Sequence, residues 1–219
     1  MTDTAPKSIV FDLDGTLIDS APDIHAAVNR MLSDLGLADL SLREVTGFIG
    51  NGLPNLVRLV MEARSIAASD EDRAQQLVVQ HLSAHPADLT KPYPGMIEAL
   101  TSLRDSGYRL GICTNKLHRP SILALDALKL SYLFDVVIGG DTLPVRKPDP
   151  KPLHEAFRQL GGQPVLYVGD SEVDAATAEN AAIPFGLYLK GYRKTSPEDL
   201  TTHFSFEDFS ELPGHLARL

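Results

Sequence analysis

The sequence predicts an α/β protein whose parallel sheet is covered by helices on both faces and is interrupted by a helical insertion. The run of β-branched and aromatic residues from Ile9 to Phe11 indicates a short buried strand, which leads straight into two carboxylates. Residues 18–90 then show helical spacing of apolar residues and no convincing strand. From residue 95 onward, apolar runs of strand length alternate with helical segments, as expected for a parallel sheet buried on both sides.

The insertion is predicted to be all-helical. Its first helix begins at the start signal Ser20–Pro22, follows helical spacing from Ile24, and closes at Gly36. A second helical segment opens near Ser41 and is interrupted by the glycine-containing stretch 47–52. Helical spacing then returns over residues 53–67 and 70–84.

The second half of the chain is predicted to supply the rest of the sheet. The expected strands are 108–113, 136–139, 165–168 and 184–189, and the expected helices are 95–106, 121–128, 151–160 and 174–182. Because the first strand must rejoin the later ones, the core is discontinuous in sequence. Residues 1–17 and 91–219 are therefore assigned to the core, and residues 18–90 to an inserted cap domain.

Composition excludes several function classes. Hydrophobic residues make up 43 % and charged residues 22 % of the 219 residues, which is typical of a globular protein. The net charge of −9 argues against a nucleic-acid partner, so a bound phosphate must be held by local cations and a metal. The candidate local cations are Lys116, His118, Arg119, Arg146 and Lys147.

Compartment is predicted from cysteine usage and hydropathy. The single cysteine, Cys113, excludes an internal disulfide and suits a reducing compartment. No stretch resembles a signal peptide, and no 18-residue apolar run is present. We therefore expect a cytoplasmic protein without a membrane partner.

Polar side chains that could carry chemistry follow predicted strands or the loops beside them. They are Asp12, Asp14, Thr114, Asn115, Lys147, Asp170 and Asp174. Ligands of open parallel sheets bind beyond the carboxyl ends of the strands, so these residues are expected to share one site. Asp12 and Asp14 lie on the same face of their strand because side chains alternate, and their mutual repulsion calls for a divalent cation.

Taken one at a time, these residues also have purely structural interpretations. Thr114 and Asn115 could form a strand-to-turn transition, and Lys147 could be a solvated lysine at a helix start. Asp170 could be a cap or turn residue, and Asp174 could be a helix N-cap. The functional interpretation depends on their joint occurrence and their order.

Four segments together resemble the motifs of the haloacid dehalogenase-like superfamily of phosphohydrolases. They are DLDGT at 12–16, CTNK at 113–116, RKP at 146–148, and GDS at 169–171 followed by Asp174. They occur in the order of that family and span essentially the whole chain. The resemblance implies a Rossmann-like three-layer parallel-sheet core with a helical cap inserted after the first motif. It favours phosphoryl transfer over carbon–halogen cleavage, because the dehalogenases lack the second aspartate, here Asp14.

The same resemblance implies a role for each candidate residue. Asp12 is the nucleophile that becomes an aspartyl-phosphate, Asp14 is the general acid and base, and Lys147 orients Asp12 and offsets developing charge. The implied phosphate ligands are Thr114, Asn115 and Lys147. The implied Mg²⁺ ligands are Asp12 and Asp170 through their side chains and Asp14 through its backbone carbonyl, with Asp174 beside the metal.

The cap loop of Gly50, Asn51 and Gly52 is interpreted as a substrate-binding loop. Glycines let a backbone approach a ligand closely, and Asn51 brings hydrogen-bonding groups, although a helix–helix turn is the alternative. This loop, together with segments 19–23 and 137–141, is similar to bacterial phosphoglycolate phosphatases.

Two features set the chain apart from those phosphatases. Their late segment is usually more aromatic than residues 190–194, and Arg146 adds a cation beside Lys147. Phosphoglycolate carries a carboxylate as well as a phosphate, so a cation on the cap or rim is expected. By charge alone, the candidates are His25, Arg30, Arg43 and Arg58.

The predicted function is therefore a Mg²⁺-dependent phosphatase of the phosphoglycolate type, acting on a small phosphorylated metabolite as a monomer or homodimer. Within enzymes, the alternatives are another small-metabolite phosphatase acting on a sugar phosphate or pyrophosphate, and a mutase related to β-phosphoglucomutase. Outside enzymes, the alternative is a non-catalytic protein that binds a phosphorylated metabolite.

Overall fold

A computed structural model describes residues 6–218 of the chain. Residues 1–5 and 219, which the sequence assigns to the two ends of the core, lie outside the described residues. Within the described range, no helix combines the length and the apolar character that crossing a membrane requires.

Residues 6–218 form one parallel sheet of six strands and a separate two-stranded ribbon. In chain order the strands are β1 (Lys7–Phe11), β2 (Ile18–Asp19), β3 (Lys91–Pro92), β4 (Arg109–Cys113), β5 (Val136–Ile138), β6 (Gln163–Gly169), β7 (Phe185–Tyr188) and β8 (Phe204–Phe206). The large sheet has the order β5-β4-β1-β6-β7-β8, with every neighbouring pair parallel, and the ribbon pairs β2 with β3 antiparallel. Strand β1 therefore lies in the middle of the sheet.

Helices occupy both the insertion and the faces of the sheet. In chain order they are α1 (Ala21–Asp34), α2 (Leu42–Thr46), α3 (Leu53–Arg64), α4 (Glu71–Ala84), α5 (Met96–Asp105), α6 (His118–Ala127), α7 (Lys151–Leu160), α8 (Glu172–Ala181) and α9 (Leu212–Leu216). Helices α1–α4 separate the ribbon strand β2 from its partner β3, so the stretch between the two ribbon strands is helical, whereas residues 18 and 19 of the predicted all-helical insertion form β2.

The sheet is buried on both faces. Side chains of β1 alternate, so Ile9 and Phe11 pack in one apolar cluster together with residues of α5 and α9. Val10 belongs to a second cluster, which it shares with residues of α7 and α8. The predicted three-layer α/β architecture is confirmed. A third cluster, from Ile24 to Val78, is built from α1–α4 and the segments between them.

The structure contains elements that the sequence does not predict. Strand β8 has three residues and the ribbon strands two each, which is too short for a periodic pattern to stand out. Helix α6 begins at His118, three residues before the expected start, because a carboxylate oxygen of Asp141 accepts a hydrogen bond from the His118 N–H at 2.7 Å.

The interpretation of Asp174 as a helix N-cap is wrong. The N-cap of α8 is Ser171, whose Oγ accepts a hydrogen bond from the Asp174 N–H at 3.3 Å. In return, Asp174 Oδ2 accepts one from the Ser171 N–H at 3.1 Å. The two residues form a capping box, which starts the helix at Glu172 rather than at 174.

The two connections between the sheet and the helical insertion are tied together by Asp23. In the ribbon, Ile18 lies opposite Pro92 and Asp19 opposite Lys91. One turn into α1, Asp23 Oδ2 accepts hydrogen bonds from the backbone N–H groups of Leu89 (3.0 Å) and Thr90 (2.7 Å) and from the Thr90 hydroxyl (2.6 Å). Asp23 is buried, so this one carboxylate fixes the outgoing segment to the returning one.

Replacing this carboxylate should destabilise the protein. In Asp23→Ala, the buried N–H and hydroxyl of Thr90 and the N–H of Leu89 lose a charged acceptor, so we expect the free energy of unfolding to fall by about 2–3 kcal/mol in urea denaturation. Asp39→Ala is the matched control, because Asp39 is exposed and should change stability by less than ~0.5 kcal/mol. Equal losses in the two variants would contradict the role given to Asp23.

Candidate active site

Three candidate residues follow three neighbouring strands of the sheet. Asp12 comes directly after β1, Thr114 after β4 and Asp170 after β6. Because β4, β1 and β6 are adjacent and parallel, their carboxyl ends meet at one edge and bring these side chains together. All three residues are buried, and none is more than 8 % exposed.

Lys147 lies between the carboxylates of Asp12 and Asp174, and it is only 3 % exposed. Its Nζ is 2.6 Å from Oδ1 of Asp174 and 2.9 Å from Oδ1 of Asp12. It also donates to the hydroxyl oxygen of Tyr167 at 2.9 Å. These contacts engage all three donors of the ammonium group, which holds it in place beside Asp12.

Burial and the ion pairs together set the ionisation of this group. Burial outweighs the attraction of Lys147 and raises the pKa of Asp12 to about 6. Burial acts on Asp174 in the same direction, but its ion pair and hydrogen bonds with Lys147 hold its pKa below the usual range. Burial acts against the Lys147 ammonium, but the two carboxylates outweigh it and raise the lysine pKa. Lys147 and Asp174 are therefore charged at neutral pH.

Asp170 is held from both sides by polar donors. Its Oδ1 accepts a hydrogen bond from the Thr16 hydroxyl at 2.8 Å, and its Oδ2 accepts one from the Tyr192 N–H at 2.6 Å. The backbone at Gly191 lies so close to the Asp170 side chain that a Cβ added at Gly191 would be 2.2 Å from it, so this position needs glycine. Burial, followed by the charges of Asp174 and Asp12, raises the pKa of Asp170 well above its usual value.

The buried carboxylates fit a divalent cation. Asp12, Asp170 and Asp174 each have an oxygen atom within 4.8 Å of the others, and the one lysine beside them leaves an excess of two negative charges. Asp174 is saturated, because its Oδ1 accepts from Lys147 and Tyr167 and its Oδ2 accepts from Ser171 and from the Asp170 N–H. Each Asp170 oxygen accepts one hydrogen bond from the described residues, and Asp12 is paired with Lys147 through Oδ1, so these two side chains keep lone pairs for a cation. The backbone carbonyl oxygen of Asp14 accepts no hydrogen bond from the described residues and is a third hard donor.

Asp14 is in a different electrostatic setting from Asp12. Its Oδ1 accepts hydrogen bonds from the Ser20 hydroxyl at 2.6 Å and from Lys116 Nζ at 2.9 Å, and its Oδ2 lies 3.2 Å from the same ammonium. The two side chains of this ion pair are 10 % and 11 % exposed. Asp12 is therefore paired with Lys147, and Asp14 is paired with Lys116. Two carboxylates in different surroundings can take different roles in one reaction.

Thr114 and Asn115 differ in what they offer a ligand. The Asn115 amide donates to the carbonyl oxygens of Gly50 (3.0 Å) and Lys147 (3.1 Å), and its oxygen accepts from the Lys147 N–H (3.0 Å). This side chain therefore joins the cap loop to the Lys147 loop. The Thr114 hydroxyl accepts from the Lys116 N–H at 3.3 Å and keeps its own proton for a ligand.

A cavity of about 70 Å³ lies between the helical insertion and this edge of the sheet. Its polar lining includes Asp12, Asp14, Thr114 and Lys116. Its apolar lining consists of Ile24, Ile49, Leu53, Leu56, Val79 and Leu82 from the insertion, and of Leu117 and Pro120 beside β4. The volume suits a small polar head group and a short chain rather than a large substrate.

The cap loop reaches this cavity through its glycines. Gly50 and Gly52 line it, with φ values of 121° and 82° that favour glycine, whereas Asn51 is exposed and not part of the lining. The four cationic side chains proposed from charge alone do not line it: His25, Arg30, Arg43 and Arg58. Among residues 6–218, Lys116 is the one cationic side chain in the lining.

Several residues that complete the site carry weak signals in the sequence. Lys116 stands out only as a local cation and as the last residue of the CTNK segment, with no role of its own, and Ser20 only as part of a helix start. Tyr167 lies inside an apolar strand, and Tyr192 lies in the segment that departs from similar phosphatases. Asp14 is 102 residues from Lys116, and Asp19 is 173 residues from Tyr192, so only the folded chain identifies these pairs.

Known proteins give this geometry a family context. Residues 9–187 match the model of the family described as haloacid dehalogenase-like hydrolase. A phosphoglycolate phosphatase of Cereibacter sphaeroides is 50 % identical over 214 residues, which cover 96 % of this chain and 98 % of that protein. A phosphoglycolate phosphatase of Rhodobacter capsulatus is 43 % identical over 211 residues, covering 94 % and 95 %.

A solved structure agrees with this assignment. The crystal structure of a predicted phosphoglycolate phosphatase from Haemophilus somnus 129pt superimposes with a TM-score of 0.89 at 28 % identity, covering 98 % of each chain. The family match spans most of the sequence, and the resemblance inferred from the four motifs is confirmed. The chain belongs to the haloacid dehalogenase-like hydrolase family.

Proposed function

We propose that the protein is a Mg²⁺-dependent phosphomonoester hydrolase that works through an aspartyl-phosphate, and that 2-phosphoglycolate is its substrate. Relatives that match almost the full chain are named for that activity. The observation that carries the proposal is the buried Lys147 ammonium, which holds one oxygen of Asp12 beside carboxylates with two uncompensated negative charges. An anionic nucleophile and a phosphate dianion can meet only where such local cations are provided.

In the first step, Asp12 Oδ2 attacks the phosphorus of the ester, and the bond between phosphorus and the leaving oxygen breaks. Lys147 holds Asp12 Oδ1 at 2.9 Å and thereby aims the other oxygen at the substrate. Asp14, as the general acid, gives a proton to the leaving oxygen, so that the alcohol departs neutral. The Thr114 hydroxyl donates to a phosphate oxygen.

In the second step, water attacks the phosphorus of the aspartyl-phosphate. Asp14, now a carboxylate, takes a proton from that water, and the bond between phosphorus and the Asp12 oxygen breaks. Inorganic phosphate leaves, and both carboxyl groups return to their starting state. Mg²⁺, held by Asp12, Asp170 and the Asp14 carbonyl oxygen, would neutralise charge on the phosphate during both steps.

The helical insertion supplies the enclosure for these steps. We assign residues 18–90 to a cap domain and residues 1–17 and 91–219 to the core. The apolar wall that α1, α3 and α4 present to the cavity limits the access of water, and Gly50 and Gly52 allow the cap backbone to approach the substrate. The proposed compartment is the cytoplasm, consistent with a lone buried thiol, Cys113. Both a monomer and a homodimer are compatible with this assignment.

Substrate choice is tested by a phosphate-release screen. With Mg²⁺ present, we expect the highest kcat/KM for 2-phosphoglycolate among a panel that includes sugar phosphates and pyrophosphate. A higher kcat/KM for another member of the panel would contradict the assignment of 2-phosphoglycolate as the substrate. A mutase would return phosphate to an acceptor and release little of it, and a binding protein would release none.

The nucleophile is tested by Asp12→Asn. An amide cannot attack phosphorus, so phosphate release should fall by at least ~10³-fold while the circular dichroism spectrum stays that of the wild type. Asp135→Asn is the matched control, since Asp135 precedes β5 at the opposite edge of the sheet and pairs with Arg104 on the surface. Appreciable turnover by the Asp12→Asn variant would rule out Asp12 as nucleophile.

The metal is tested by chelation and by thermal stability. EDTA should abolish phosphate release and Mg²⁺ should restore it. Because the cation would also offset two buried negative charges, millimolar Mg²⁺ should raise the unfolding temperature of the wild type by a few degrees, on the order expected for a ligand that binds only the folded state. Asp170→Asn should lose that shift; an equal shift in this variant would place the cation elsewhere.

A further inference from the structure

The Lys116 side chain occupies an unusual position in the cavity. Its Nζ lies 2.9 Å and 3.2 Å from the two oxygens of Asp14, and its side chain is only 10 % exposed. Its backbone is also fixed, because its N–H donates to Thr114 Oγ1 and its carbonyl oxygen accepts from the Gly140 N–H at 2.8 Å. The ammonium is thus held at the wall of the cavity, next to the residue that serves the leaving oxygen.

The surroundings make this ammonium the natural partner for a second anionic group. The cavity wall beyond Asp14 is made largely of aliphatic side chains, and no other cationic side chain among residues 6–218 lines it. Lys147 is buried beneath the edge of the sheet with its donors fully engaged. An anion entering this cavity in addition to the phosphate would be desolvated without a partner unless Lys116 turned towards it.

Distance restricts the substrate class. The leaving oxygen must come within hydrogen-bonding distance of Asp14, and Lys116 Nζ already lies about one hydrogen bond from the same carboxylate. A group one or two carbon atoms from the leaving oxygen therefore falls within reach of that ammonium. Resting on the proposed phosphatase activity, we propose that Lys116 is the specificity-determining residue, and that it reads the carboxylate of short phosphomonoesters of hydroxy acids.

The exchange of partners has a consequence for Asp14. Lys116 is the one hydrogen-bond donor that contacts Asp14 Oδ2 among the described residues, whereas Oδ1 also accepts from Ser20. When the ammonium moves to the substrate carboxylate, Oδ2 is left open at the position where the leaving oxygen arrives. A substrate with a carboxylate therefore draws Lys116 away from Asp14 Oδ2, the oxygen that its own cleavage requires. A neutral ester leaves the Lys116–Asp14 pair intact.

Arg146 is the competing candidate for the same role. Its guanidinium lies at the rim, where a Cβ at Gly52 would be 3.3 Å from one of its nitrogens. Arg146 is exposed and does not line the cavity, so solvent weakens its hold on a small anion. Arg146→Met is therefore the matched control for Lys116→Met, since both replace a long cation with a neutral chain of similar length.

The test compares two esters that differ in charge at one end, 2-phosphoglycolate and 2-hydroxyethyl phosphate. Lys116→Met should lower kcat/KM for phosphoglycolate by about 10- to 100-fold more than for the neutral ester, as expected for one lost charge-assisted hydrogen bond. Lys116→Arg should keep most of the preference, and Arg146→Met should leave the ratio close to that of the wild type. A merely structural Lys116 would affect both esters equally, and that result would overturn the proposal.

Binding without turnover separates this proposal from the phosphatase assignment. In the Asp12→Asn background with Mg²⁺, calorimetry should show weaker binding of 2-phosphoglycolate after Lys116→Met, and little change for 2-hydroxyethyl phosphate. A wild type that hydrolyses no phosphoester would overturn the proposed function, but the calorimetric ratio would still decide the role of Lys116. If Arg146→Met, and not Lys116→Met, weakened the binding of 2-phosphoglycolate, the carboxylate would be recognised by Arg146 and the proposal would be wrong.

Discussion

The site depends on one buried ion pair cluster, in which Lys147 is held between Asp12 and Asp174. A lysine this deeply buried stays charged because both carboxylates raise its pKa against the effect of burial. Asp174 contributes twice, since its second oxygen closes the capping box at the start of α8. The position of Asp12, the proposed nucleophile, is thereby tied through Lys147 to the start of α8.

The same cluster has one carboxylate more than it has cations, and Asp170 beside it adds another. Thr16 and the Tyr192 N–H hold the Asp170 carboxylate, while the Tyr192 hydroxyl donates to Asp19 Oδ1 at 2.6 Å and accepts from the Ala21 N–H at 3.0 Å. One residue therefore spans from a proposed metal ligand to the segment where the helical insertion begins. Tyr192 thereby couples the carboxylate edge of the sheet to the start of α1, although its segment shows in the sequence only as a departure from similar phosphatases.

Features that depend on neighbouring residues in the sequence could be predicted, and features that depend on contacts between distant residues could not. Strand β1 and the alternation of later strands and helices are local patterns, and the four motifs give the order of the chemistry, so architecture and family were accessible from sequence. Strand β8 was not, because three residues carry no period. The cap cations His25 and Arg58 illustrate the second failure: charge alone selects them, yet one contacts the Leu40 carbonyl and the other pairs with Glu62. Partner choice is decided by tertiary packing, which no local pattern encodes.

The same reasoning assigns different parts of substrate recognition to the cap and the core. The cap brings aliphatic side chains to the cavity, and these lower the local dielectric and limit its size. In such surroundings one ammonium attracts an anion more strongly than it would in water. The cation itself, Lys116, follows β4 two residues after Thr114, the proposed phosphate ligand. In the proposed assignment, the aliphatic side chains of α1, α3 and α4 would strengthen the attraction between Lys116 and a substrate carboxylate, and charged side chains in their place would weaken it.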